Sequence, residues 1–126
     1  MKTVQLDDKF IMHWLGRLRT AWINRDFPLV RELFKKCERY AETPFTTIGR
    51  NAEEVARFWE EIDGHSNVHL ACEIVCKAGL RVVVNYRARY ESNGRKVESD
   101  GIYVVDFDMA GDCVAFAQWS VSNIRS

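Results

Sequence analysis

Asn93-Gly94 sits between two long runs of alternating apolar and polar residues, 81–92 and 95–106. Asn-Gly is the strongest short hairpin signal, because a two-residue turn of the favoured kind needs positive φ at both central positions. Such a turn also fixes the register, since a slip of one residue would send every side chain to the opposite face. It pairs Ser92 with Arg95, and on one face Arg89 then meets Glu98, Arg87 meets Asp100 and Arg81 meets Asp106. On that same face Val83 meets Val104 and Asn85 meets Ile102. The other face pairs Tyr90 with Val97, Ala88 with Ser99, Tyr86 with Gly101, Val84 with Tyr103 and Val82 with Val105. Opposite charges on one side and aromatic–aliphatic pairs on the other are what a correct register yields. The face carrying Tyr86, Tyr90 and Tyr103 is therefore the inner one.

"Met109-Ala110-Gly111-Asp112" reads as a four-residue loop that extends the ladder to a last strand. Asp108 is then expected opposite Cys113, Val105 opposite Phe116, and Tyr103 opposite Gln118. Gln118 and Ser120 join the tyrosines on the inner face, while Ala115, Ala117, Trp119 and Val121 fall outside beside Val83, Ile102 and Val104. An outer face with such an apolar end reads as a partner surface, so a homodimer packed through it is expected.

The first half of the chain has a different period. Residues 8–25 place Ile11, Trp14, Leu15, Leu18, Ala21 and Trp22 on a helical stripe. Asp26 and Pro28 restart the chain as a second helix, with Leu29, Val30, Leu33, Phe34 and Cys37 on one side. A short extended piece follows over 38–43, and Pro44 biases Thr43 away from helix. Asn51 with Glu54 is a capping box for a third helix burying Val55, Phe58, Trp59 and Ile62, which Gly64 can end. From residue 67 the period becomes two, with Val68, Leu70, Cys72, Ile74 and Cys76 alternating with polar residues. Helices first and strands after give an α+β class, with three helices on one face of a curved antiparallel sheet. The 126 residues fit one domain, 1–126.

Composition narrows the function. The chain carries 18 basic and 18 acidic side chains, so it lacks the basic excess that phosphate binding needs and no nucleic-acid partner is expected. No apolar run reaches the roughly 18 residues of a membrane span, and "MKTVQLDDKF" has acids where an export signal needs an apolar core. Cys72 and Cys76 on one strand would hold their side chains roughly 13 Å apart, too far to bridge. Four buried thiols in a reducing cytoplasm is the reading of Cys37, Cys72, Cys76 and Cys113. His13, His65 and His69 offer no ligand set on a helix, so neither a metal nor another cofactor is expected.

"AWINRDFPLVRELF", "YAETPFTTIGRNAEEVARFWEEI" and "VESDGIYVVDFDMAGDCVAFAQWSVS" resemble nuclear-transport-factor-2-like proteins, in particular the SnoaL-like polyketide cyclase and ketosteroid isomerase branch. The resemblance spans roughly residues 10–122 and implies a cone whose helices and curved sheet enclose a deep pocket, with dimers formed through the sheet. Steroid-isomerase-like members place a base Asp immediately before the bend proline, where this chain has Thr43, with Glu42 one residue earlier. Their helical oxyanion tyrosine corresponds to Leu18, and their strand acid to Tyr103. The resemblance thus implies the pocket but not that isomerase reaction.

Glu42 is the candidate general base, since a carboxylate near aromatic rings has its pKa raised by desolvation. Strand alternation sets Glu42 and Thr43 on opposite faces and leaves open which is inner; Thr43 and Tyr40 are candidates for the lining. Tyr86, Tyr90, Tyr103 and Phe116 are candidates by facing alone, and Gln118 because a buried amide on an apolar face needs partners. Trp14, Trp22 and Trp59 are first core residues, with Trp22 and Trp59 able to border a cavity. Arg87 and Asp100 resemble catalytic residues, but the register makes them an outer cross-strand pair. The expected function is binding of a small, largely apolar molecule, with a cofactor-independent isomerase, cyclase or dehydratase as the catalytic form. The alternative is a non-catalytic dimeric module with a vestigial pocket.

Overall fold

The computed structural model describes residues 6–43, 45–62 and 64–125. Pro44 and the first residues of the chain, on which two of the expectations above rest, lie outside them. The elements run α1 (Asp8–Asn24), α2 (Phe27–Leu33), β1 (Arg39–Thr43), β2 (Thr46–Gly49), α3 (Ala52–Glu61), β3 (His65–Ala78), β4 (Arg81–Ser92), β5 (Arg95–Phe107) and β6 (Cys113–Arg125). No helix among the described residues is long and apolar enough to cross a membrane.

Each helix starts where an orphan N–H finds a side-chain oxygen. Asp7 accepts from the Phe10 N–H at 2.8 Å, Asp26 from Leu29 at 3.1 Å and Asn51 from Glu54 at 2.9 Å. Glu54 reaches back to the N–H of Arg50 at 2.8 Å, one residue before the cap, so the capping box is displaced outward. α1 ends at Arg25 in the left-handed region, φ 51°, and buries Ile11, Trp14, Leu15, Leu18 and Ala21. Trp14 packs edge-on against Phe34 at 5.8 Å and Phe107 at 5.5 Å, the aromatic centre of the core.

The sheet is curved, unclosed and six-stranded, in the order β2-β1-β6-β5-β4-β3. The β4–β5 hairpin has the register that Asn93-Gly94 dictates, from Ser92↔Arg95 to Arg81↔Asp106. Arg81 grips Asp106 with two hydrogen bonds of 2.7 and 3.0 Å. Tyr86, Tyr103, Val82, Val84 and Val105 are buried against the helices. Gly101 allows a close approach of β6: a Cβ there would lie 2.0 Å from the Trp119 carbonyl oxygen.

The sheet departs from the sequence expectation in four places. It is mixed rather than purely antiparallel, because β1 pairs parallel with β6 through Arg39↔Ala115, Tyr40↔Phe116 and Ala41↔Ala117. An unpaired β6 would leave a row of open N–H and C=O groups, and β1 occupies that edge. The segment after Pro44 is a strand, β2, which folds back on β1. Cys113 stands opposite Phe107, not Asp108, across a bulge. The cause is Asp108, whose side chain accepts the N–H groups of Ala110 and Asp112, both at 2.9 Å, and draws it into the turn. Finally, a bulge between Ile74 and Cys76 turns Cys76 out to solvent and points Lys77 to Asp8 at 2.7 Å. Cys72 is half-buried, so only Cys37 and Cys113 of the four free thiols are buried.

Candidate functional site

β1 contributes the polar centre of the site. Tyr40 and Glu42, two residues apart, point inward from the same face of the strand. Tyr40 donates from its hydroxyl to Glu42 Oε1 at 3.0 Å. Because β1 lies beside β6, Gln118 Nε2 reaches Glu42 Oε2 from the neighbouring strand. Both carboxylate oxygens therefore have a neutral donor. Burial nonetheless pushes the Glu42 pKa up, and the two hydrogen bonds only partly oppose it.

The group lies on a cavity of about 270 Å³. α1 supplies Trp22 and Leu18, and α3 supplies Trp59, Phe58 and, just past its end, Ile62. β4 supplies Tyr86 and Tyr90, β5 Tyr103 and Ser99, and β6 Phe116 and Gln118. The rings interlock: Tyr86 stacks on Tyr103 at 4.1 Å, and Tyr40 on Phe116 at 5.2 Å. Burial raises the pKa of all four tyrosines, so they are neutral donors at physiological pH; the Glu42 charge adds to the rise at Tyr40, Tyr86, Tyr90 and Tyr103. Trp59 Nε1 lies toward the Tyr40 hydroxyl without a hydrogen bond and is a buried donor lacking a partner among the described residues.

Thr43 is the exception among the expected lining residues. It is exposed, and its Oγ1 accepts the Phe45 N–H at 3.3 Å. The pleat that turns Glu42 in turns Thr43 out, and a register irregularity between Ala41 and Thr43 carries it further into the β1–β2 turn.

His65 was not singled out by the sequence as part of this wall. It begins β3, packs against Tyr90 at 4.3 Å, and accepts the Trp22 indole N–H on Nδ1 at 3.2 Å. That contact assigns the neutral ring's proton to Nε2. Burial, and then the nearby Arg25 charge, lowers the His65 pKa. Ser99 was legible from the hairpin register as an inner position, whereas Phe58 and Ile62 carry no signal distinguishing them from core residues.

A second, larger depression of about 1300 Å³ opens on the surface, bordered by Arg19, Arg87, Arg89, Glu98, Asp100 and Val121. The Arg87–Asp100 pair there, 3.6 Å apart, is exposed and lies outside the aromatic cavity. No group of three or more metal-ligating side chains occurs among the described residues.

No family model matches the sequence, and no curated protein matches it. Solved structures do match in shape. A nuclear-transport-factor-2-like protein of unknown function from Burkholderia pseudomallei superposes with a TM-score of 0.71 at 23% identity, covering 87% of this chain and 89% of that one. A Jannaschia protein assigned to the SnoaL-like polyketide cyclases gives 0.72 at 14% identity, over 95% and 91% of the two chains. An LEH-like epoxide hydrolase from Mycobacterium tuberculosis gives 0.68 at 16% identity, over 90% and 84%. The fold is thus that of the nuclear-transport-factor-2-like superfamily, and the neighbours' differing descriptions leave the chemistry to the residues of each cavity.

Proposed function

On this nuclear-transport-factor-2-like fold, we propose that the chain binds a small, largely apolar molecule in the Glu42 cavity and moves a proton on it without a cofactor. The observation that carries this reading is a carboxylate sunk among aromatic rings and held at both oxygens by neutral donors. A carboxylate of raised pKa is better matched to proton transfer near neutral pH than a solvated one. Isomerisation, cyclisation and dehydration each relocate a substrate proton: Glu42 takes it from one atom and returns it to another, ending as it began. The neutral phenols of Tyr86 and Tyr103 are donors suited to a developing oxyanion.

The test has two stages. A thermal-shift screen of small carbonyl compounds finds binders, since binding to the folded state raises the melting temperature. Hits are then incubated in D2O and followed by NMR. Deuterium should enter at carbon in the parent and not in Glu42→Gln. If hits bind on the cavity's indole groups but exchange no proton, catalysis by Glu42 is refuted and binding stands.

A second reading, a dimeric interaction module, is favoured by Trp119 and Val121, which are 37% and 79% exposed on the outer face. The proposed occupant is a second copy of the chain, packed through that face. Trp119→Glu should then shift a dimer to monomer in sedimentation, and a parent that is monomeric at micromolar concentration refutes it. The free thiols support a reducing, cytoplasmic setting.

A further inference from the structure

The charge balance of the cavity carries the reading one step further, to the class of ligand. Among the described lining residues Glu42 is the one carboxylate, and no lysine or arginine accompanies it. Among the described residues no cation pairs with it: both of its oxygens are met by uncharged donors, Tyr40 and Gln118, and Arg25, whose charge reaches His65, donates to the Ile62 carbonyl at 3.3 Å. His65 offers no counter-charge, because its Nδ1 accepts from Trp22 and its ring is held neutral. A buried carboxylate with neutral donors alone has recovered only part of the hydration it lost. The surrounding walls do not repair this but add to it, since aromatic rings present negative faces. The cavity is therefore a region of negative potential, lined by the groups that attract a weakly hydrated organic cation.

Resting on the binding reading above, we propose that the ligand is a small amine or quaternary ammonium, whose charge is neutralised by Glu42 and whose alkyl groups lie on Trp22, Trp59, Tyr86 and Tyr90. A neutral molecule of the same shape gains the apolar burial but leaves Glu42 uncompensated. An anion meets like charge. The volume of about 270 Å³ limits the ligand to a short branched chain or a single ring, since a cavity of about 150 Å³ holds one benzene.

Choline and 3,3-dimethyl-1-butanol test this directly, because they differ only in a charged nitrogen for a carbon. Both are titrated into the full chain at pH 7.5, following the indole N–H resonances of Trp22 and Trp59 to report on the cavity. Choline should bind at least about tenfold more tightly. In Glu42→Gln its advantage over the neutral probe should shrink to what the aromatic faces alone supply. In the parent, choline binding should weaken as pH falls, as Glu42 takes up a proton. Tyr40, Tyr86, Tyr90 and Tyr103 stay protonated throughout that range, and His65, the other group that titrates near the site, would lower choline affinity further as it charges. Glu42→Gln separates the two, since it removes the Glu42 step alone. Equal or tighter binding of the neutral probe overturns the cation proposal while leaving the pocket intact. Indole resonances unmoved by either probe overturn both. The comparison of probes on the parent decides the matter even if the variant does not fold.

Discussion

Replacing Tyr40 by Phe removes one oxygen from the interior and isolates what that oxygen does. The hydroxyl is buried and donates to Glu42 Oε1 at 3.0 Å, and among the described residues no other donor meets that oxygen; Gln118 serves the other one. The ring, its stack on Phe116 at 5.2 Å and its edge contact with Phe34 at 5.3 Å remain. The loss is then one hydrogen bond to a charged group, about 1.5–3 kcal/mol. For a chain of this size, 2 kcal/mol corresponds to a fall in melting temperature of about 8 °C.

The same bond predicts how that loss depends on pH. In the parent, burial holds the Glu42 pKa above the ordinary value of 4.5. The folded state thus binds that proton more tightly than the unfolded state does. Its contribution to stability is full below the unfolded value and is lost as pH rises through the folded value. Losing Tyr40's donation raises the folded pKa further, because the hydrogen bond favours the ionised form. The Tyr40→Phe penalty should therefore be small in acid, where Glu42 is protonated in both proteins, grow as pH rises through the parent's folded pKa, and be complete above the variant's higher one. Melting curves across pH 4 to 8 measure this, and carbon-13 NMR of labelled glutamate follows Glu42 itself. A penalty independent of pH, or a Glu42 pKa that falls in the variant, would show that Tyr40 does not donate to the carboxylate.

Three further outcomes follow from other parts of the molecule. Gly101→Ala should destabilise the fold by about 2–3 kcal/mol in urea unfolding, because the new methyl meets backbone, 2.0 Å from the Trp119 oxygen, which cannot rotate away; a neutral substitution would refute the close approach of β5 and β6. In a timed thiol-reagent assay Cys76 should react first, and Cys72, whose pKa burial pushes up to about 11, should lag until strongly alkaline pH. Cys37 and Cys113 should react only on unfolding; four fast thiols would refute their burial, and a slow Cys76 would refute the β3 bulge. Thr43→Val should leave probe binding in the cavity within twofold of the parent, because Thr43 faces solvent, whereas Gln118→Leu should raise the Glu42 pKa by removing a donor.

The readable part of the fold was the part specified by local chemistry. Asn93-Gly94 determines twelve residue pairs in one hairpin because positive φ is available at both positions, 52° and 78°. Its parity carries across to Tyr103 and Gln118, so the inward direction of those side chains follows from the turn. The helix starts at Asp26 and Asn51 are legible for the same reason: each cap is a bond within four residues. What was not legible depends on partners distant in sequence or on small irregularities. The bulge at Cys76 reverses the alternation that made it look buried, and the Asp108 turn shifts one residue of β6. His65 gave no sign of its place because Trp22, forty-three residues away, holds it.

The hardest element to foresee was also the one that sets the site. Residues 38–43 read as an extended piece without a partner, and alternation alone left Glu42 and Thr43 interchangeable. Their order is decided by docking on β6: the Tyr40↔Phe116 pair places Tyr40 in the aromatic core. Glu42, two residues on, must then face the same way. The hydrophobic burial of one ring thus determines the direction of a carboxylate that hydrophobicity alone would have kept in water. Glu42 is held inside by its neighbour's packing, and the two neutral donors reduce the cost without removing it. A short strand docked beside the meander is well suited to this. It can be aimed by a single anchor residue, while the four-stranded meander behind it retains its own register irrespective of what β1 carries.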